Sequence, residues 1–273
     1  MSIMIEKIDG TRYFLNDLDI RVIDFIPDSP EIINEIVELD GGNHIVIDSK
    51  RGPRYLSLVL RFVGRDIGDY FLLMREVFTL FNGKDAFFLI NTYESGLRWK
   101  VHTNGKYTPS RKLFSGDFTI HFICPTGIAE SIGTSLDLQN RKEWDANLWQ
   151  WGMGIDWDKE YRYQHNSNSF VIENIGTETI DPCEHLLEIS LRGTFASQVK
   201  IRNITTGDEV IFNGSLTAAD EFKLVGIRAL KNGVSVLKNT NKKLITLAPG
   251  ENEFVIEDGT VSSITFLFRF LYM

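Results

Sequence analysis

Most of the chain alternates apolar and polar residues with a period of two, the pattern of strands that bury one face. "IEKIDGTRYFL", residues 5–15, predicts a hairpin turning at Asp9-Gly10, because Asp-Gly supplies the positive φ angles of a two-residue turn. Strands are expected at 56–64 "LSLVLRFVG", 86–90 "AFFLI", 98–103 "RWKVHT" and 116–124 "GDFTIHFIC". Turn clusters at Gly41-Gly42-Asn43 and Arg51-Gly52-Pro53 separate them. One segment has helical spacing instead. In "DIGDYFLLMREVFTLFNG", residues 66–83, Asp66 can cap the first amides and Gly83 can end the helix in a left-handed conformation. Phe71, Met74, Phe78 and Phe81 fall on one face, and Tyr70, Leu73, Val77 and Leu80 fall beside them. This stripe is wider than a one-sided surface helix needs. Either the helix is buried on two sides of its own domain, or a partner chain covers the second side.

The texture changes after "PTGIAESIGTSLDLQN", residues 125–140, where small and polar residues dominate. The pattern divides the chain into a first domain at 1–134, a linker at 135–148 and a second domain at 149–273. The second half reads as strands at 169–176, 186–193, 198–214, 222–226, 243–258 and 262–273, with Gly, Asn and Asp turns between them. Short antiparallel strands at this spacing predict a β-sandwich or jelly roll. In the last strand Ile264, Phe266, Phe268, Phe270 and Tyr272 share one face, which a second sheet must cover. Whether that strand returns to the first domain stays open. The fold class is therefore mainly β, with one α-helix.

Composition narrows the function. The 273 residues are 43% hydrophobic and 24% charged, which fits a globular protein with a full core. A net charge of −8 argues against a protein that grips nucleic acid by its phosphates. The start, "MSIMIEKIDG", lacks a signal peptide's basic and apolar regions. The longest apolar run, "ITFLFRFLYM", is about half a membrane span and carries Arg269. No membrane segment and no secretion signal are expected. Cys124 and Cys183 are far apart among apolar neighbours and read as buried free thiols from a reducing cytosol.

Catalytic patterns are missing. There is no phosphate-cradling glycine loop, no HExxH and no nucleophile elbow. His44, His102, His121, His165 and His185 are scattered, and His102 and His121 lie in strands as structural histidines. Asp156, Asp158 and Glu160 alternate, but the glycine and terminal glutamate of a calcium loop are lacking, so a solvated acidic edge is the better reading. Asp117 and Glu130 show no mark of a catalytic acid pair. The expectation is no enzyme, no cofactor and no metal.

"EWDANLWQWGMGIDWDKEYRY", residues 143–163, holds four of the five tryptophans. If the segment is extended, Trp149 and Trp151 face one side, and Gly152 and Gly154 allow a bulge or a close approach. Exposed rings of Trp149, Trp151 and Trp157 would form a platform for stacking a glycan. Buried rings would fill the join between the two domains, and the burial tendency of large aromatics favours that alternative.

The ordered set of motifs resembles the distal tail proteins of long-tailed phages that infect Gram-positive bacteria. The aromatic-glycine stretch leads into a strand ending in Asn174-x-Gly176. An Asn203-x-Thr205-Thr206-Gly207 turn follows, and Leu247-x-Pro249-Gly250-x-Asn252 precedes the last strands. In the first half "GGNHIVIDSKRGPRYLSLVLRF", the aromatic helix and "CPTG" also fit. The resemblance implies a first-domain β-sandwich with a helix and a projecting hairpin, and an outer galectin-type or carbohydrate-module sandwich. It implies a homo-hexameric ring joining the tail tube protein to a tail-tip, lysin-type protein and to receptor-binding or baseplate proteins. DNA would pass its channel without sequence-specific contact. The location implied is the virion tail tip, after synthesis in the host cytoplasm and release by lysis. A carbohydrate-binding module on the host wall is the alternative.

On that reading "NTYESGLRWKVHTNGKY", residues 91–107, is the candidate projecting hairpin, with Arg98, Lys100 and His102 on one face. Tyr70, Phe71, Phe78, Arg98, Trp99 and Lys100 are the candidate ring-interface residues.

Overall fold

The computed structural model describes residues 2–39, 41–82 and 84–273. The chain divides into two compact units, Met1–Ala129 with Met273, and Glu130–Tyr272. The division precedes the boundary read from composition. Residues 135–139 are a short helix of the second unit rather than linker, because Thr134 and Asp137 form a reciprocal capping box that starts it.

In the first unit β1 (Ile3–Lys7) and β2 (Arg12–Phe14) form the predicted hairpin. Its turn is one residue longer than expected. Lys7 N–H bonds Thr11 O at 2.8 Å, so Ile8, Asp9 and Gly10 form the loop, with Gly10 at φ 87°. Next come β3 (Ile20–Pro27), β4 (Ile32–Leu39), β5 (Asn43–Arg51), β6 (Arg54–Val63), α1 (Ile67–Leu80), β7 (Phe87–Asn91), β8 (Leu97–Asn104), β9 (Ser110–Lys112) and β10 (Ser115–Cys124). Antiparallel pairing runs β2-β1-β7-β8-β10-β6-β3. Strand β8 turns the corner. Trp99 and Val101 pair with β7, while His102, Thr103 and Asn104 pair with β10. Ile5, Leu58, Phe62, Leu89, Val101 and Phe122 meet in one buried core.

Helix α1 closes this core. Asp66 accepts a bond from Asp69 N–H at 2.8 Å, as its capping role requires. The expected terminator Gly83 lies outside the described residues. The C-terminal carbonyls are satisfied instead by Lys7 Nζ on Leu80 O (2.6 Å) and by Thr103 Oγ1 on Phe81 O (3.1 Å). Tyr70, Val77 and Leu80 point inward, and Tyr70 packs on Phe62. On β10, Asp117 accepts bonds from Arg61 Nε and Nη2 and from Lys112 Nζ. The Arg61 bonds are the main cause that lowers its pKa to about 2.

The second unit contains β11 (Ala129–Thr134) from Glu130 onward, α2 (Ser135–Gln139), β12 (Gln164–His165), β13 (Ser169–Asn174), β14 (Leu187–Asn203), β15 (Asp208–Asn213), β16 (Phe222–Val225), β17 (Arg228–Lys231), β18 (Val234–Ser235) and β19 (Gly250–Tyr272). Two long strands organise it. The first part of β19 lies between β13 and the end of β14, and β15 flanks that end. The later part of β19 lies between β12 and the start of β14, beyond which come β16, β17 and β18. Each long strand thus serves two sheets. Segments 243–258 and 262–273, expected as two strands, overlap one continuous strand from Gly250. Asp258-Gly259 does not end it. The chain bends there beside Gly193, where added Cβ atoms would lie 2.3 Å from the Phe195 ring and 2.4 Å from Thr260 O. The aromatic face of the last strand is buried as predicted, and Phe254 meets Phe266 at 4.8 Å between ring centres. Strand β19 belongs to the second unit through Tyr272.

Cys124 is buried, but Cys183 is exposed, contrary to expectation. Cys183 sits on a turn in which its N–H bonds Asp181 Oδ1 at 2.8 Å. His121 Nδ1 lies 2.9 Å from Ser57 Oγ across neighbouring strands, a structural role.

Candidate assembly surface

The most exposed apolar surface in the first unit is the hairpin of β4 and β5, a two-stranded sheet of its own. Its register runs from Ile32 opposite Arg51 to Leu39 opposite Asn43, with a bulge at Glu35/Ile36. Eight residues give it a reach of roughly 25 Å. Gly52 N–H on Glu31 O, Asp28 N–H on Tyr55 O and Arg54 Nε on Asp28 O fix its base. Beyond the base every described residue of both strands is exposed.

Adjacent apolar residues put bulk on both faces. Ile36 pairs with Val46 on one face and Val37 with Ile45 on the other. With Ile32, Ile33, Leu39 and Ile47, eight large aliphatic side chains stand in solvent. Glu35 stands opposite Asp48, a like-charge pair relieved by Lys50 Nζ at 3.0 Å from Asp48. A two-stranded ribbon with no covered face is marginal in water, and exposed apolar surface of this kind marks interaction sites.

This ribbon, and not residues 91–107, is the projecting hairpin. The 91–107 segment is held in the body of the unit by β8. Trp99 is buried beneath the Arg54 guanidinium, 4.7 Å from its ring. Arg98 Nη1 bonds the buried Glu6 carboxylate at 2.6 Å, and its guanidinium lies 3.8 Å over the Phe88 ring. Both are engaged within the unit itself, and Tyr70 is likewise buried. Lys100 is exposed. Phe71 and Phe78 are also exposed, and with Ile67 and Leu72 they line the outer side of α1. One side of the wide stripe thus serves the unit's own core and the other remains open.

In the second unit, residues 143–160 form turns and contain no strand, so Trp149 and Trp151 do not share a face. Asp145 O accepts from Leu148 and Trp149 N–H, and Gly152 and Gly154 take φ of 88° and 75°. Trp149 is 1% exposed, lies 6.2 Å from Phe270 between ring centres, and fills the space left by Gly133. It presents no face to a sugar. Trp151 is 83% exposed and stacks on Trp144 at 5.1 Å, and Trp157 leans on Trp144 at 5.0 Å. Trp144 was not among the candidates; its place in the same cluster of tryptophans was the available signal. Asp156, Asp158 and Glu160 do not converge: Asp156 accepts from Asp158 N–H, while Glu160 pairs with Arg162. No group of three or more potential metal ligands occurs among the described residues. No helix among them is long and apolar enough to cross a membrane.

Residues 8–124 match the family described as the phage tail protein RIFT-related domain. The whole chain shares its fold with the Dit (gp 19.1) protein of phage SPP1, described as a paradigm of the hub adsorption apparatus in phages infecting Gram-positive hosts. The TM-score is 0.71 at 12% identity, covering 98% of this chain and 99% of that one. Chains of the phage P2 baseplate, in its activated conformation with calcium and with strontium, match with a TM-score of 0.50 at 12% identity, covering 98% of this chain and 97% of theirs. No curated protein sequence matches the chain. At this identity the shared feature is the distal-tail fold. Together with the RIFT-related domain it supports a structural role in a phage tail.

Proposed function

We propose that this chain is the hub of a phage tail tip. Six copies close head to tail into a ring that joins the tail tube to tip or baseplate and receptor-binding proteins. The observation that carries the proposal is the uncovered β4–β5 arm on a RIFT-related domain. A ring of identical subunits needs two different complementary patches. The arm is one, and the outer side of α1, with Ile67, Phe71, Leu72 and Phe78, is the other.

The magnitudes are adequate. Covering eight large aliphatic side chains contributes on the order of 10–20 kcal/mol per arm, against an association cost of about 4–15 kcal/mol. The role is structural rather than catalytic. The ring's channel serves as the DNA conduit, and the net charge of −8 suits passage without retention. The chain would reside in the virion tail, made in the host cytoplasm and released on lysis.

The test is light scattering with negative-stain images of the same fraction. The reading expects six times the 31.2 kDa of one chain and a particle with a central hole. Closed dimers without a hole would exclude it.

A further inference from the structure

We infer that the second unit binds a medium-chain fatty acid, with the hydrocarbon tail in an apolar pocket and the carboxylate at Arg228 and Lys243. The proposal goes beyond the hub role and does not depend on it. The pocket lies between the start of β14, the β16–β17 hairpin and residues 237–245. It holds about 380 Å³ counted to its mouth, a size in the range of small-ligand sites. Its floor is Leu187, Ile189, Val210, Ala229 and Ile245, all buried, and none of these side chains can bond a polar atom. Ile227 and Leu237 stand exposed at the mouth. Arg228 and Lys243 are exposed with them. The lining contains no carboxylate, and neither cation forms an ion pair among the described residues.

This arrangement selects the ligand. An apolar floor takes a hydrocarbon, and two uncompensated cations at the rim take a single anionic end. The main chain around the mouth is already paired. Strand β17 has β16 on one edge and β18 on the other, and Ala229 O accepts from Val236 N–H at 2.9 Å. Leu237 O accepts from Thr240 N–H and Oγ1 at 3.2 and 2.9 Å. A peptide would bring amides that find no free strand edge there, whereas a fatty acid has no polar group beyond its carboxylate. The wall is also fixed before a ligand arrives. Asn241 Oδ1 accepts from Ile211 and Lys243 N–H, both at 3.2 Å, and its Nδ2 donates to Glu209 O at 2.9 Å, which ties the wall to β15. A preformed pocket loses less entropy on binding.

The test is calorimetric titration of the full chain with octanoate, octanol and butanoate. Octanoate is expected to bind saturably at millimolar concentration or below. Octanol keeps the tail without the charge, and butanoate keeps the charge with half the tail; each is expected to bind at least about tenfold more weakly. Arg228→Gln with Lys243→Gln is expected to weaken octanoate by about tenfold or more and to leave octanol unchanged. Both side chains are exposed, so an unchanged thermal midpoint separates this loss from unfolding. Ala229→Leu, which fills the floor, is expected to abolish binding of both eight-carbon tails. No saturable binding of octanoate, equal binding of octanol, or unchanged octanoate binding by the double glutamine variant or by a folded Ala229→Leu chain overturns the proposal. Binding of a short Gly-Ser peptide ending in leucine by a chain that ignores octanoate would make the pocket a protein contact and also overturn it.

Discussion

Strand β19 carries Ile264, Phe266, Phe268 and Phe270 on one face, all buried, whereas the β4–β5 arm carries eight aliphatic side chains, all exposed. Both are apolar strands of one protein. The difference is in the second layer. The residues of β19 meet the facing sheet of their own unit, as Phe254 against Phe266 shows. Every described residue of the arm is exposed, and its apolar residues lie on both faces. One pattern builds a core, and the other stands in solvent.

The comparison can be broken at either end. Phe268→Ala removes a fully buried ring and is expected to cost about 3–5 kcal/mol, read from the urea midpoint. A cost near zero would mean that the facing sheets do not depend on this strand. On the arm, Ile36→Asp with Ile45→Asp is expected to leave the chain's own stability within about 0.5 kcal/mol while reducing the assembled mass to that of one chain. Unchanged assembly would remove the arm from the interface. Gly259→Ala places a methyl group 2.3 Å from the Phe195 ring and 2.5 Å from Thr194 O, and should cost about 1–3 kcal/mol by thermal melting.

The smallest effect concerns Asp117. Its pKa is held down to about 2, chiefly by the Arg61 hydrogen bonds. The stability it contributes is present above the ordinary carboxylate pKa of about 4 and is lost as pH falls through about 2. Asp117→Asn should lower the urea midpoint slightly at neutral pH, where the contribution is present, and flatten its fall across that window.

The fold was legible where one periodicity told the whole story. Asp66 and the aromatic spacing located α1, and the Phe266-Phe268-Phe270 alternation located the buried edge of the second unit. The arm was missed because Ile32-Ile33, Ile36-Val37 and Ile45-Val46-Ile47 break a period of two. Apolar neighbours in sequence mean two apolar faces, which read as noise unless a second molecule is considered. Asp258-Gly259 read as a turn, although the same residues allow a bend within one strand. Trp149 and Trp151 were placed together by assuming extension, whereas positive φ at Gly152 and Gly154 folds their loop back. Arg98 read as a surface charge because its partner Glu6 lies far away in sequence and comes close only through the pairing of β7 with β1 and β8.

The most direct measurement is hydrogen exchange along the arm, compared between dilute chain and assembled particle. If a second copy covers the arm, amides within residues 32–39 and 43–51 slow markedly on assembly, while those of β14 and β19 stay as they were. An assembled particle whose arm amides exchange as fast as in the single chain would contradict the account.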